Sequence, residues 1–189
     1  SGCFSIYKSE DLIKAGGWST RTMAEDMDLT WTFYEQGKIV RFAPDICCYP
    51  IEPETLHMLG KQLTRWSHGL FQNLKIHWKN IKKIPVLREI IIVAIADVFL
   101  GGAMLFVVGP LLTIISGDPL LYAVALLADG VFIGIPVIYK GWKLKMLRKV
   151  LTSLPSFFVL RAVNAFFLYK AAFKEFVLKQ TLTKYEKGH

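Results

Sequence analysis

Residues 98–117 read VFLGGAMLFVVGPLLTIISG, 20 residues without a charge between Asp97 and Asp118. A helix crosses the ~30 Å hydrocarbon core of a bilayer with about 20 apolar residues, so this stretch implies that part of the chain sits in lipid. Composition agrees, because 53% of the 189 residues are hydrophobic, more than an ordinary soluble domain carries. Working outward, a first span is expected at about 91–114 and a second at about 120–139, joined by the tight turn SGDP at 116–119. The basic runs KIHWKNIKK (75–83) and YKGWKLKMLRK (139–149) flank the pair. Lys and Arg beside spans mark the cytoplasmic side, which makes the two spans a hairpin with its turn outside. The next apolar stretch, SFFVLRAVNAFFLYKAAFKEF (156–176), holds Arg161, Asn164, Lys170, Lys174 and Glu175 and is a poor lipid-facing span. It is expected to lie at the interface or re-enter over about 155–178, with a third crossing as the competing topology. Asp97, Asp129, Arg161 and Asn164 are polar residues in apolar surroundings, and an Asp129–Arg161 pair that fixes helix packing is expected.

The formal charge of +8 does not point to nucleic acid, because the cations gather next to apolar segments, where anionic lipid headgroups are the natural partner. Cys3, Cys47 and Cys48 have no metal-ligand spacing and are read as reduced cytosolic thiols. His57, His68, His77 and His189 form no ligand set and are expected at the interface or in solvent. The chain starts SGCFSIYK, with no basic segment followed by an apolar one, so this is no signal peptide and is read as a piece of a longer chain.

Upstream of the apolar region, charges, turns and aromatics mix. SGCFSIYK (1–8) reads as a strand or strand-loop. SEDLIKAGGW (9–18) reads as a short helix capped by Ser9 and ended by Gly16 and Gly17. A second helix is expected from the acidic cluster through MDLTWTFYEQG (27–37), stopping at Gly37. KIVRFAPDICCYPIEP (38–53) reads as a short strand broken by Pro44, then an extended segment closed by Pro50 and Pro53. From Thr55 to about Trp78, Leu56, Leu59, Leu63, Trp66, Leu70, Leu74 and Trp78 recur at three- and four-residue steps, as in a basic amphipathic helix lying on a membrane surface or packed on a core.

Two motifs carry chemistry. MAEDMDLTW (23–31) places Glu25, Asp26 and Asp28 at a helix start. There carboxylates complement the helix dipole and cap free amides, or one of them accepts a proton from an attacking hydroxyl; the cluster alone leaves both open. QLTRW (62–66) sets Gln62, Arg65 and Trp66 at adjacent helical positions. A guanidinium that forks onto phosphate oxygens, an amide for hydroxyls and an indole to stack on a sugar ring suit a phosphate-bearing sugar. An interfacial Arg that snorkels beside an anchoring Trp would look the same.

Taken together, GGW, AEDMDLTW, QLTRWSHG and the apolar spans resemble the C-terminal part of the membrane-bound, inverting family 2 glycosyltransferases, the group of cellulose, hyaluronan and poly-N-acetylglucosamine synthases. The 36 residues from Asp26 to Gln62 match the family's spacing between its acidic motif, usually TED, and QxxRW; Ala24 replaces the Thr. The resemblance implies an α/β fold, the C-terminal part of a GT-A-like domain, followed by an α-helical membrane region. It divides the chain into an acceptor-side catalytic part (1–54), an interface helix (55–87) and a membrane region (88–189). It implies Asp26 as catalytic base with Glu25 as its orienting neighbour, Gln62 and Arg65 over the nucleotide diphosphate, and Trp66 as the stacking floor of the acceptor site. The implied reaction is attack of a sugar hydroxyl on a UDP-sugar, with inversion, at the plasma (inner) membrane with the catalytic part cytoplasmic. The implied partners are nucleotide sugar, a polysaccharide or lipid-linked acceptor, membrane lipids, a missing N-terminal half and a small membrane subunit. A Mg or Mn ion belongs to the complete enzyme, and its DxD motif is not in this chain, so the isolated chain is expected to be inactive. The alternatives are a non-processive transferase acting on a lipid carrier or lipid, and an inactive membrane assembly subunit; polar residues of the spans would line an export channel only in the first reading. The tail QTLTKYEKGH (180–189) resembles the family's short basic C-terminal motif too loosely to assign Phe176, Lys184 or Lys187 a role.

Overall fold

A computed structural model describes residues 2, 4–43, 46, 48–96 and 102–183. Cys3, Pro44, Cys47, Asp97, Lys184, Lys187 and His189, together with residues 98–101 of the first expected span, lie outside the described residues. In chain order the elements are α1 (Ser9–Lys14), α2 (Glu25–Glu35), α3 (Leu56–Ile81), α4 (Pro85–Ile95), a π-helical turn (Met104–Val108), α5 (Gly109–Ser116), α6 (Pro119–Lys143), α7 (Leu147–Ala172) and a second π-helical turn (Phe173–Val177).

The expected α/β fold is not what forms, because no strand occurs among the described residues. Alternating apolar residues become a strand only where a neighbour supplies ladder hydrogen bonds and a face to cover. The segment 38–43 finds neither among the described residues: Ile39 and Phe42 remain 82% and 89% exposed. The same is true of residues 4–8, which carry no regular structure before α1. Lys8, not Ser9, holds the N-cap position of α1, without a side-chain cap. Gly37, with φ of 71°, ends α2, and Lys38 N–H closes back on Phe33 O at 2.9 Å, a left-handed stop that suits glycine.

The residues divide into two compact units, Ser1–Ile91 with Phe167–His189, and Ile92–Phe166. In the first, α3 starts at Thr55, whose hydroxyl caps Met58 N–H at 3.2 Å, and stops before Pro85. Its middle is not a one-sided amphipath. Ser67, His68, Gly69, Phe71, Gln72, Asn73 and Leu74 are all buried, and these positions surround the helix, so it runs through the centre of its unit. Trp66 and Trp78, expected on the apolar stripe, are about half exposed at 49% and 53%. Gly69 lets the chain before α2 touch α3 backbone to backbone: a Cβ there would sit 2.6 Å from Ala24 Cβ and 2.8 Å from Ala24 N.

In the second unit, α6 and α7 are joined by a part-buried ion pair, Arg161 Nη2 donating to Asp129 Oδ1 at 2.8 Å, and by contacts at glycines. A Cβ at Gly141 would meet Val150 at 2.6 Å, and one at Gly130 would meet Phe158 at 3.0 Å. Pro119–Lys143 and Leu147–Val177 are long and apolar enough to cross a membrane, whereas the apolar helix Leu105–Ser116 is shorter. Tyr122 hydroxyl donates to Leu105 O at 2.8 Å and joins these elements.

Two outcomes follow for stability. Gly69→Ala pushes a methyl into backbone and should cost about 1–3 kcal/mol or more, read as a lower Tm in thermal unfolding of the detergent-purified protein followed by Trp fluorescence. Arg161→Leu strands the Asp129 carboxylate and should destabilise by about 3–5 kcal/mol, whereas Asp129→Leu with Arg161→Leu should recover most of that loss; equal losses for the single and double variants would show that the pair is not what joins the helices.

Candidate functional site

The turn Thr22–Ala24 that launches α2 is buried and is held by α3 side chains. Met23 N–H donates to Gln72 Oε1 at 2.8 Å. Asn73 Nδ2 donates to Ala24 O at 3.2 Å and to Gly69 O at 2.9 Å. Arg65 Nη1 reaches Met23 O at 3.4 Å. Two motifs far apart in sequence therefore meet, with Arg65 of QLTRW against the turn that carries Glu25 and Asp26. Met23 lies outside any helix ladder, so Gln72 and Arg65 of α3 meet its N–H and O, whereas Ala24 O accepts both Asp28 N–H of α2 at 3.1 Å and Asn73, as buried polar groups require.

The three carboxylates at the start of α2 have different surroundings. Asp28 is buried and receives Arg21 as a fork, Nε at 2.9 Å and Nη2 at 2.7 Å, and His77 Nε2 at 2.7 Å. His77 Nδ1 in turn meets Glu35 Oε1 at 2.6 Å. Burial pushes the Asp28 carboxyl up, but the hydrogen bonds from His77 and Arg21 outweigh it and hold it below its ordinary value. Burial pushes the His77 imidazole down, but Asp28 and Glu35 on either side outweigh it and hold it above its ordinary value. Asp28 is thus a structural anchor that pins α2 to α3. Glu25 and Asp26 are half-buried, and among the described residues the Asp26 carboxylate makes no hydrogen bond; only its backbone O is used, by Thr30 Oγ1 at 2.8 Å.

An open cavity of about 700 Å³ is lined by His57, Lys61, Thr64, Arg65, Thr181 and Thr183, among others; Glu25 and Asp26 do not line it, and Arg65 links it to the acidic turn. Of the residues singled out in QLTRW, Arg65 faces it; Gln62 and Trp66 do not line it. Gln62 is half-buried and Trp66 half-exposed on other faces of α3. Basic side chains and hydroxyls around one hollow suit an anionic oxygen ligand. A divalent cation does not fit the described residues: no three His, Cys, Asp or Glu side chains among them are placed to share a metal ion, and Asp28 is already committed to Arg21 and His77.

Sequence reading missed the residues that build this seam. His68 and His77, expected at an interface or in solvent, are buried and bonded to carboxylates. Glu175 counted only as one charge in an apolar stretch, and Gln72 and Asn73 drew no attention. Their one visible signal is a long helix with polar residues on every face, which is stable only if those residues find partners.

The His77 clamp gives a pH dependence. Its raised imidazole stabilises fully below its ordinary value near 6.5 and loses that contribution as pH rises through the folded-state value above it. The lowered Asp28 carboxyl contributes above its ordinary value near about 4 and fails as pH falls through its depressed one. The clamp should therefore be strongest between about pH 4 and 6.5. The Tm of the protein should fall on the alkaline side of that window, and His77→Gln should remove the alkaline limb; an unchanged limb would mean that His77 is not charged in the fold.

Residues 2–173 match the model of glycosyl transferase family group 2. The chain is 33% identical over 69 residues to the poly-beta-1,6-N-acetyl-D-glucosamine synthase of Staphylococcus aureus strain COL, a match covering 36% of this chain and 17% of the relative. To the synthase of the same name from Staphylococcus epidermidis it is 31% identical over 83 residues, covering 43% of this chain and 20% of the relative. The match thus spans a fifth or less of the length of these relatives. No solved structure matches. With the family match running over most of its length, the chain belongs to glycosyl transferase family group 2.

Proposed function

We propose that this chain forms the acceptor side of an enzyme that extends a polysaccharide from a nucleotide-diphospho-sugar, with Asp26 as the general base. The observation that carries the reading is the difference between the carboxylates of one turn. Asp28 is used up by Arg21 and His77, whereas the Asp26 carboxylate is unbonded among the described residues and follows directly on the turn that Gln72, Asn73 and Arg65 hold. A carboxylate that the fold does not consume is free to take a proton.

In the proposed step, an acceptor hydroxyl oxygen forms a bond to C1 of the donor sugar as the C1–oxygen bond to the diphosphate breaks, the electron pair leaving on the nucleoside diphosphate. The hydroxyl proton passes to Asp26, and attack from the face opposite the leaving group inverts C1. Glu25 orients its neighbour, and Arg65 with Lys61 supplies cationic donors toward the diphosphate across the cavity. Gln62 is assigned to donor hydroxyls or phosphate, and Trp66 to stacking under the acceptor sugar. The names of the relatives favour N-acetylglucosamine as the sugar and UDP as its carrier. On this reading the nucleoside end of the donor and any Mg or Mn ion are held by polypeptide outside the described residues. The length and hydropathy of Pro119–Lys143 and Leu147–Val177, with the basic runs beside them, support an integral membrane protein whose catalytic part faces the cytoplasm.

The test is incorporation of labelled UDP-N-acetylglucosamine and UDP-glucose by membranes containing the protein at the length its host makes it. Asp26→Asn, folded and inserted as judged by its Tm, should lose at least about a hundredfold in rate. Full activity in that variant would reduce the acidic cluster to a helix cap. Product length then separates a polymerase from a transferase that adds one sugar to a lipid.

A further inference from the structure

Glu175 is a buried carboxylate far in sequence from both motifs, in the π-helical turn after α7. A buried charge persists only when paired and hydrogen-bonded, and this one has four donors. His68 Nδ1 approaches Oε1 at 2.8 Å, and Gln72 Nε2 donates to the same oxygen at 3.1 Å. Lys75 Nζ at 2.7 Å and Thr181 Oγ1 at 3.3 Å donate to Oε2. Because the carboxylate accepts, the His68 proton belongs on Nδ1.

The partners of Glu175 lead to both sides of the candidate site. Gln72 spends both ends of its amide. Its Oε1 accepts from Met23 N–H in the acidic turn at 2.8 Å, and its Nε2, besides bonding Glu175, donates to Leu182 O at 3.0 Å. Leu182 lies between Thr181 and Thr183, and all three line the cavity together with Lys61 and Arg65. The backbone makes this return deliberately: Leu178 N–H bonds Phe173 O at 3.1 Å in a π turn, Lys179 takes a left-handed φ of 54°, and Gln180 N–H bonds Lys174 O at 2.9 Å. Inserted π turns re-aim side chains and recur at functional sites, and a left-handed lysine is a conformation that its surroundings must impose.

We propose that Glu175 is a positioning residue for sugar transfer: one buried carboxylate fixes the cavity wall at residues 181–183 directly and, through Gln72, the acidic turn that carries Asp26. The proposal rests on the function proposed above. The acidic turn keeps independent anchors in Asn73 and Arg65, whereas segment 181–183 depends on Glu175 and Gln72. Loss of the carboxylate should therefore act mainly on donor binding and less on the chemical step. A carboxylate with a purely structural role would change the amount of folded protein and leave its kinetic constants alone.

The experiment compares steady-state kinetics with UDP-N-acetylglucosamine in the same membranes. Glu175→Gln leaves one acceptor oxygen, which can serve His68 with Gln72 or Lys75 with Thr181 but not both pairs. It should raise KM for the nucleotide sugar about tenfold, the scale of a lost charged hydrogen bond, with kcat within about threefold. Thr181→Val, a milder change at an exposed residue, should raise KM about threefold, and it decides the matter by the same readout if Glu175→Gln does not fold. Folded Glu175→Gln with wild-type KM and kcat overturns the proposal, as does a fall in kcat with KM unchanged. Asp26→Asn run alongside separates the two readings. If that variant stays active, the base assignment fails, while the KM of Glu175→Gln still decides whether the carboxylate sets the cavity wall. If no sugar is incorporated, the dissociation constant for UDP replaces KM, with the same tenfold weakening expected and an unchanged constant overturning the proposal.

Discussion

A side chain at Gly69 would occupy space filled by the backbone of Ala24, and this backbone contact between α3 and the acidic turn constrains the rest of the first unit. At that separation the turn cannot satisfy its polar groups with water, so the helix must supply partners at fixed positions. Gln72 and Asn73, three and four residues beyond Gly69, do so, because residues at those spacings project along neighbouring lines of a helix. Direction matters as much as proximity. With Met23 and Ala24 held by the backbone, α2 starts at a set angle, and Asp26 is presented by a rigid helix start and not by a loop.

The seam is polar where an ordinary helix contact would be apolar, and this has a physical consequence. Apolar side chains tolerate a small shift along the helix, but the groups here do not. If α3 slid by one residue, His77 would leave both Asp28 and Glu35, and Glu175 would lose His68 and Lys75; each would then be a buried charge or imidazole without a partner. The interactions are therefore better described as fixing register than as adding much net stability, since two buried ions repay their desolvation only when the geometry is good. Fixed register is what a proton-transfer site needs, where a misplacement of about 1 Å can cost a hundredfold in rate.

The sequence was most informative where local chemistry decides structure. Gly37 stops α2 and Thr55 caps α3 because each acts on its own neighbours. The spacing of the two motifs was visible, and the fold does bring Arg65 to the acidic turn. Strand formation was not legible: Ile39, Val40 and Phe42 suit a strand by residue type, but a strand also needs a partner and a covered face, and no described residue supplies them. The environments of His68 and His77 were hidden for a related reason, since their carboxylate partners are 107 and 42 or 49 residues away. Asp28 and Asp26 look equivalent in sequence, and only Arg21 and His77, brought in by tertiary structure, tell them apart. Glu175 read as a reason to doubt an apolar helix, because its compensating donors lie on another element.

The second unit meets the same requirement for register with different means. Between apolar helices surrounded by lipid, the hydrophobic effect supplies no net drive to associate, and close packing at small residues with a few polar contacts sets the pairing. The α6–α7 pair has this character. Gly130 and Gly141 allow close approach to Phe158 and Val150, and Asp129 with Arg161 supplies one ionic contact. A lone Arg or Asp within an apolar helix opposes insertion, but a matched pair facing inward removes much of that cost and selects the one rotation of each helix that joins the charges. Under the proposed membrane placement, that selection makes the pairing of α6 and α7 specific in a setting where leucine and phenylalanine contacts cannot distinguish one rotation from the next. The expected pair between these helices thus follows from the same reasoning that made Arg161 look out of place in the sequence: an ion in an apolar helix is tolerated where it has a partner, and here the partner lies on the neighbouring helix.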